Sequence, residues 1–296
     1  MKKIILPILM STMLIAPAVS HAEKNVVSQN NTDTIEQVQE YSGWVREKGD
    51  WYYFNEDGSM AKSWKDINGS WYYFEENGVM AKGKTTIKGQ TYYFNENGTM
   101  HTDWLGNKGG PYSGTWYYFN KDGTMAKYWK VINGSWYYFE EDGFMAKGQK
   151  TIKGQTYYLN EDGTMQTGWQ VIKGGGPYSG TWYYYNEDGV MAKYMKNIDG
   201  QTYYFNEDGT MQTGWKKLQG SFGGKWYYFN NNGSMAKDWV KVNDIWYYMN
   251  KDGMMQTGWV QQNGDWYYLQ SDGSMAVGKH FIDGKWYSFQ DNGVMM

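Results

Sequence analysis

The stretch Gly69–Gly83 reads GSWYYFEENGVMAKG. Three aromatics in a row are followed by a Glu-Asn-Gly turn and then a methionine. Trp, Tyr and Phe favour strands, and the glycine of such a turn takes positive φ at little cost. One copy would be an ordinary core strand. Here the segment recurs along the chain, and a fixed period is the signature of a repeat architecture. The first position of the WYY triplet falls at Trp51, Trp71, Thr91, Trp116, Trp136, Thr156, Trp182, Thr202, Trp226, Trp246, Trp266 and Trp286. Most intervals between these markers are 20 residues, and three are 25, 26 and 24. A methionine stands nine residues after every marker, from Met60 to Met295, and a glycine two before each methionine, from Gly58 to Gly293.

The link between copies carries Asn-Gly or Asp-Gly, as in KDINGSW, a strong hairpin signal. If Asn68-Gly69 is a two-residue turn, Ile67 faces Ser70 and Trp64 faces Tyr73. Opposed residues and alternate residues share a face. Trp64, Trp71 and Tyr73 then lie on one face, while Tyr72 and Phe74 point the other way. SMAKSW reads as a returning strand, so the chain is expected to run as a β-meander with almost no helix. Met80 and Gly78 are assigned to their own hairpin. So small a hairpin cannot bury its aromatics alone, and stacking solves that problem. The expected fold is an all-β solenoid of ~20-residue units, about twelve stacked β-hairpin repeats.

The longer intervals are insertions at one place. They read LGNKGGPYSGT, QVIKGGGPYSGT and KKLQGSFGGK, just before Trp116, Trp182 and Trp226. The rest of the organisation is simple. Residues 1–22 carry Lys2 and Lys3, an apolar run and Ser20-His21-Ala22, the pattern of a secretory signal peptide. Residues 23–42 match no repeat, are polar, and are expected to form a flexible lead-in. Residues 43–296 form the array. Removing Lys2 and Lys3 leaves 26 basic against 31 acidic residues, a mild acidity that gives no support for nucleic-acid binding. The chain has no cysteine, so an exported protein of this kind has neither disulfides nor a thiolate site. No second apolar span follows the signal, so retention at a cell surface would depend on binding.

The tryptophans carry the functional information. A second Trp precedes most markers, by seven residues where there is no insertion: Trp44, Trp64, Trp104, Trp129, Trp169, Trp215, Trp239 and Trp259. The position is instead Lys84, Gln149, Met195 and Lys279 in the remaining repeats. The first three of these are the repeats whose marker is Thr91, Thr156 and Thr202. All 17 tryptophans occupy these two positions, sixteen as eight pairs with Trp286 alone. A core Trp, once lost, should be replaced by another large apolar residue to avoid a cavity, and Lys, Gln and Thr are poor fillers. The first Tyr of WYY is present in all twelve repeats. The Trp pair is therefore assigned to a ligand site, and the Tyr, Phe and Met positions mainly to scaffold. Trp286, with neither a partner nor a following repeat, is expected to be an end cap.

Aromatic faces attract a poorly hydrated cation such as a quaternary ammonium, each contact contributing roughly 0.5–2 kcal/mol. Three walls make a weak site, on the order of millimolar once immobilisation is counted. Eight sites on one array give multivalent attachment to a polymer.

GWVREKGDWYYFNEDGSMAKSW and TGWVQQNGDWYYLQSDGSMAVG resemble the choline-binding, or cell-wall-binding, repeats of Gram-positive surface proteins. The resemblance covers residues 43–296 and rests on the G-W, W-Y-Y, D-G and M positions. It implies a hairpin solenoid that holds choline of teichoic and lipoteichoic acids between neighbouring repeats, two Trp from one and a Tyr from the next. Carried over, Trp44 and Trp51 go with Tyr72, Trp64 and Trp71 with Tyr92, and Trp129 and Trp136 with Tyr157. Trp239 and Trp246 go with Tyr267, and Trp259 and Trp266 with Tyr287. Three expected sites contain insertions: Trp104, Trp116 and Tyr137; Trp169, Trp182 and Tyr203; Trp215, Trp226 and Tyr247. The first Tyr of each pair is preferred because it is unbroken, whereas the second becomes Ser288 in the last repeat.

The resemblance implies attachment to the Gram-positive wall surface. Family members often carry a wall hydrolase beside the repeats, but only about twenty mature residues lie outside the array here. A secreted, non-enzymatic module with no cofactor is therefore expected. Choline-bridged dimers occur in that family, which keeps a ligand-bridged dimer among the expectations. Related repeats in glucan-binding proteins and clostridial toxins bind sugars, so the alternative is an adhesin or colonisation protein for glucan or host glycans. The residues themselves suggest no enzyme. His101 and His280 lie far apart in the array, no catalytic or metal-binding spacing appears, and the carboxylates sit mainly in turns such as NEDG.

Overall fold

The computed structural model describes residues 42–106, 114–172, 180–219 and 223–296. The expected signal segment, nearly all of the lead-in and parts of the three insertions lie outside the described residues. Within them are 24 strands and no helix, paired strictly in sequence as twelve two-stranded antiparallel sheets. The chain divides into two compact units. One runs to Lys127 and takes in Glu141–Phe144, and the other comprises Tyr128–Glu140 and Met145–Met296. Each is a solenoid of stacked hairpins.

The hairpin turn is as the Asn-Gly signal requires. Asn68 has φ 54° and Gly69 φ 77°, the two positive values of a type I′ turn, whose twist matches that of the strands. Strands Ser63–Ile67 and Ser70–Phe74 pair with Ile67 opposite Ser70 and Trp64 opposite Tyr73. The same register recurs in the repeats without insertions.

The meander expectation is corrected. The stretch after each acidic turn is not a returning strand but a single β-bridge, Phe74 to Met80 in the second repeat. The reason is a competing partner for the methionine amide. Met80 N–H donates to the Trp51 carbonyl of the preceding repeat at 2.8 Å, and Met100 to Trp71 at 2.7 Å. The second unit repeats this from Met165 N–H on Trp136 O to Met295 N–H on Trp266 O, both 2.8 Å. The chain therefore leaves its own sheet to fasten the hairpin behind it. The acidic residues are used in these turns, as expected: Asp57 Oδ1 accepts from Ser59 N–H at 2.9 Å and from its hydroxyl at 2.6 Å. These hydroxyl and amide donors hold the Asp57 carboxyl below its ordinary range.

A second correction concerns the Met and Gly positions. Gly78 does not serve its own hairpin alone. Its α-carbon lies against the Met60 side chain of the preceding repeat, so closely that an added Cβ would overlap the thioether. The same Met-to-next-Gly contact recurs at Gly98, Gly123, Gly143, Gly163, Gly189, Gly209, Gly233, Gly253, Gly273 and Gly293. Gly58, in the first repeat, meets nothing. Between stacked hairpins the core is the last aromatic of each WYYF run. Phe74, Phe94, Phe139, Phe205 and Phe229 are fully buried, each contributing roughly 1.5–3 kcal/mol. Tyr185 occupies this position in its repeat, and its buried hydroxyl has no partner.

These contacts separate two costs of a glycine substitution. Gly58 and Gly78 have φ of 76° and 83°, so alanine is strained at both, by about 1–2 kcal/mol. Only Gly78→Ala also displaces a methionine, adding about 1–3 kcal/mol of overpacking. Denaturant unfolding followed by hydrogen exchange in the first three repeats should show Gly78→Ala as clearly the more destabilising. Equal losses would contradict the interlock.

Candidate functional site

The hairpin register places both tryptophans of a repeat on one face, diagonal to each other. Their rings meet nearly edge to face. Trp44 and Trp51 have centroids 6.2 Å apart at 88°, Trp129 and Trp136 6.2 Å at 87°, and Trp215 and Trp226 6.4 Å at 88°. Trp64–Trp71, Trp104–Trp116, Trp169–Trp182 and Trp259–Trp266 lie at 6.3–6.4 Å. Two rings at right angles form a corner, not a stack, which leaves room between their faces. Each first Trp also leans on the second Tyr of its own hairpin, as Trp64 does on Tyr73 at 5.4 Å.

The third wall comes from the next repeat. Tyr72 lies 4.9 Å from Trp44, and Tyr92 lies 4.8 Å from Trp64. Tyr157, Tyr203, Tyr247, Tyr267 and Tyr287 lie at the same 4.8 Å from Trp129, Trp169, Trp215, Trp239 and Trp259. The first Tyr of each pair is thus the one brought to the preceding Trp. Seven triplets assemble inside the two units, including the two expected sites with insertions at Trp182 and Trp226. Trp104 and Trp116 lie in the first unit, whereas Tyr137 belongs to the second.

Burial separates the two tryptophans. The first of each pair is half-buried, and the marker Trp is exposed in six of the eight pairs, with Trp71 46% and Trp136 47% exposed, while Trp51 and Trp116 are half-buried. Exposed indole faces beside a half-buried corner are costly to maintain unless something covers them. Burial, and next the Asp188 carboxylate, push the Tyr157 phenol above its ordinary value. Tyr247 is raised in the same way by burial and Asp272. Carboxylates of the following turn therefore lie near these third walls and make their surroundings more negative, while the phenols stay neutral.

Two of the repeats without the pair are closed, which sequence reasoning missed, whereas a cavity of about 250 Å³ lined by Lys84 and Tyr117 borders the Thr91 repeat. Tyr183 and Tyr227, the tyrosines equivalent to third walls after Thr156 and Thr202, are buried. Met195 packs on the cluster of Leu218, Tyr227, Phe229 and Met235, joined by Met254 from a later turn. Here the lost Trp is replaced by apolar filling after all. Gln149 Nε2 reaches Met191 Sδ at 3.3 Å. In the Thr91 repeat, Lys84 Nζ stands 5.1 Å from the centre of Tyr117 and donates to the Asp142 carbonyl at 3.2 Å, while Phe144 packs on Tyr117 at 4.9 Å. The large residues Phe144 and Met254, two repeats downstream of the losses, were the legible signal. Trp286, at the last repeat, is 71% exposed.

Filled and open corners should respond differently to truncation in ligand-free protein. Met195→Ala empties packed space and should cost about 2 kcal/mol or more. Trp71→Ala removes a half-exposed ring and should cost about 1 kcal/mol or less. Urea denaturation of the two variants measures the difference, and a larger loss for Trp71→Ala would make the pair core.

Comparison with known proteins follows the same repeats. The choline-binding repeat family matches residues 61–86, 83–128, 126–150, 147–193, 195–222, 221–257 and 256–296, and the cell wall binding repeat family matches 42–60. CbpJ from Streptococcus pneumoniae TIGR4 is 31% identical, with a TM-score of 0.64 over 86% of this chain and 99% of that structure. Choline binding protein F from Streptococcus pneumoniae, solved in the presence of a peptidoglycan analogue, is 30% identical, with a TM-score of 0.61 over the same shares. No curated protein is significantly similar. With the family's repeats matched along nearly the whole array and the aromatic corners between them, this chain belongs to the choline-binding repeat family.

Proposed function

We propose that the chain is a secreted, non-enzymatic module that attaches non-covalently to choline on the teichoic and lipoteichoic acids of a Gram-positive envelope. The observation that carries this is the recurring open corner of two tryptophans closed by a tyrosine of the next repeat. Three aromatic rings converge at each corner, as Trp129, Trp136 and Tyr157 do. A trimethylammonium group presents a greasy, weakly hydrated positive surface to all three at once. The nearby turn carboxylates at Asp188 and Asp272 add negative potential.

The chain supplies its own comparison. Where the Trp pair is absent, the Lys84 ammonium lies over Tyr117, the tyrosine equivalent to a third wall. A cation on that tyrosine is therefore an arrangement this fold already contains. CbpF has also been solved in complex with ipratropium, itself a quaternary ammonium, at 30% identity and a TM-score of 0.57 to this chain. Each site contributes weakly, so attachment relies on several acting together on one polymer.

Full-length secreted protein should be retained on a quaternary-ammonium resin and released by free choline, while α-glucan leaves it bound. Replacing Trp129 and Trp136 together by alanine removes two walls of one box and should lower the choline needed for release. Each lost ring should weaken its site by roughly 0.5–2 kcal/mol, about 2- to 30-fold. Release by glucan, or retention that choline cannot reverse, would contradict the proposal.

A further inference from the structure

The face that carries the two tryptophans carries a further side chain. It stands two residues after the first Trp and directly across the strands from the second. Arg46 pairs with Trp51, Asp66 with Trp71, Val131 with Trp136, Lys217 with Trp226 and Lys241 with Trp246. Residues two apart on a strand, and direct cross-strand partners, share a face. This side chain is therefore a fixed neighbour of the corner, whatever its chemistry.

In two repeats it is a cation resting on the marker Trp. The Arg46 guanidinium lies 5.8 Å from the centre of Trp51, and Lys217 Nζ lies 6.0 Å from that of Trp226. Lys241 is held instead by Asp244 at 3.0 Å, an exposed pair that leaves it hydrated and reachable. Asp66 places a carboxylate at the same position, accepting the Gly69 N–H at 2.8 Å. A cation beside a box that receives only a free cation works against binding. The same residue becomes favourable if an anion adjoins the bound ammonium. In a phosphate ester of choline, two carbons and one oxygen separate the nitrogen from phosphorus. Guanidinium and ammonium groups are suited to phosphate oxygens.

We propose that this cross-strand residue sorts the boxes by the charge next to the quaternary ammonium. The Trp44/Trp51, Trp215/Trp226 and Trp239/Trp246 boxes prefer phosphocholine, a zwitterion, over free choline. The Trp64/Trp71 box, beside Asp66, prefers the uncompensated cation. This rests on the cation-box reading above and adds a ligand distinction to it.

The test is the indole N–H spectrum of the ¹⁵N-labelled full chain, titrated with choline chloride and, at matched ionic strength, with phosphocholine. Relative to Trp136, whose neighbour is Val131, the midpoints at Trp51, Trp226 and Trp246 should fall about two- to fivefold with phosphocholine, the scale of an exposed ion pair. That at Trp71 should rise. Arg46→Gln should abolish the preference at Trp51 alone, and Arg46→Lys should keep it. The same rank order of boxes for both ligands, or an unchanged Trp51 ratio in Arg46→Gln, overturns the sorting while leaving the boxes intact. Indoles that move with neither ligand overturn the cation-box reading as well.

Discussion

A two-stranded hairpin with five-residue strands cannot bury its own aromatics. Every repeat therefore completes its core with parts of the next. The fastening is specific: a methionine amide bonded to the carbonyl of the preceding marker, as Met80 to Trp51, and a methionine side chain seated on the next turn glycine, as Met60 on Gly78. Phe74 and its equivalents then become fully buried. Stability is thus a property of neighbours, as in other solenoids.

The same constraint assembles the aromatic corners. Because each hairpin leans on the next, a tyrosine from one repeat must arrive at the tryptophan of another. Tyr92 comes within 4.8 Å of Trp64 as part of the stacking itself. Whether the resulting corner is open or filled depends on a few side chains. Trp64 and Trp71 leave it open. Met195 with Met254 fills it, while Lys84 and Phe144 lie against Tyr117 beside a cavity. Two filled corners bury Tyr183 and Tyr227, whereas open ones leave indole exposed.

Much of this was legible in the sequence, because the period was strict. The Asn68-Gly69 turn determines the register, the register determines the faces, and the unbroken first tyrosine identifies the third wall. Two things were not legible. The methionine and glycine lie close in sequence within one repeat, so they were read as partners there; their real contacts are 18 or more residues apart, Met60 with Gly78 being the first. The returning strand was also misread, since alternation cannot show that an amide has a partner in another hairpin. The packing beside the Thr91 and Thr202 repeats uses Phe144 and Met254, whose size at a turn position two repeats downstream is visible in the sequence.

The central claim is that the paired tryptophans, and not the other aromatics, hold a quaternary ammonium. Arsenocholine replaces the nitrogen by arsenic with nearly the same shape, and its arsenic can be located by anomalous X-ray scattering. Crystals grown with it should show arsenic at the seven corners that lie within one unit, between the Trp pair and the tyrosine of the next repeat, as at Trp129, Trp136 and Tyr157. None is expected at Lys84 and Thr91, at Gln149 and Thr156, at Met195 and Thr202, or on Trp286. Arsenic at those Trp-poor repeats, or empty Trp pairs, would contradict the account.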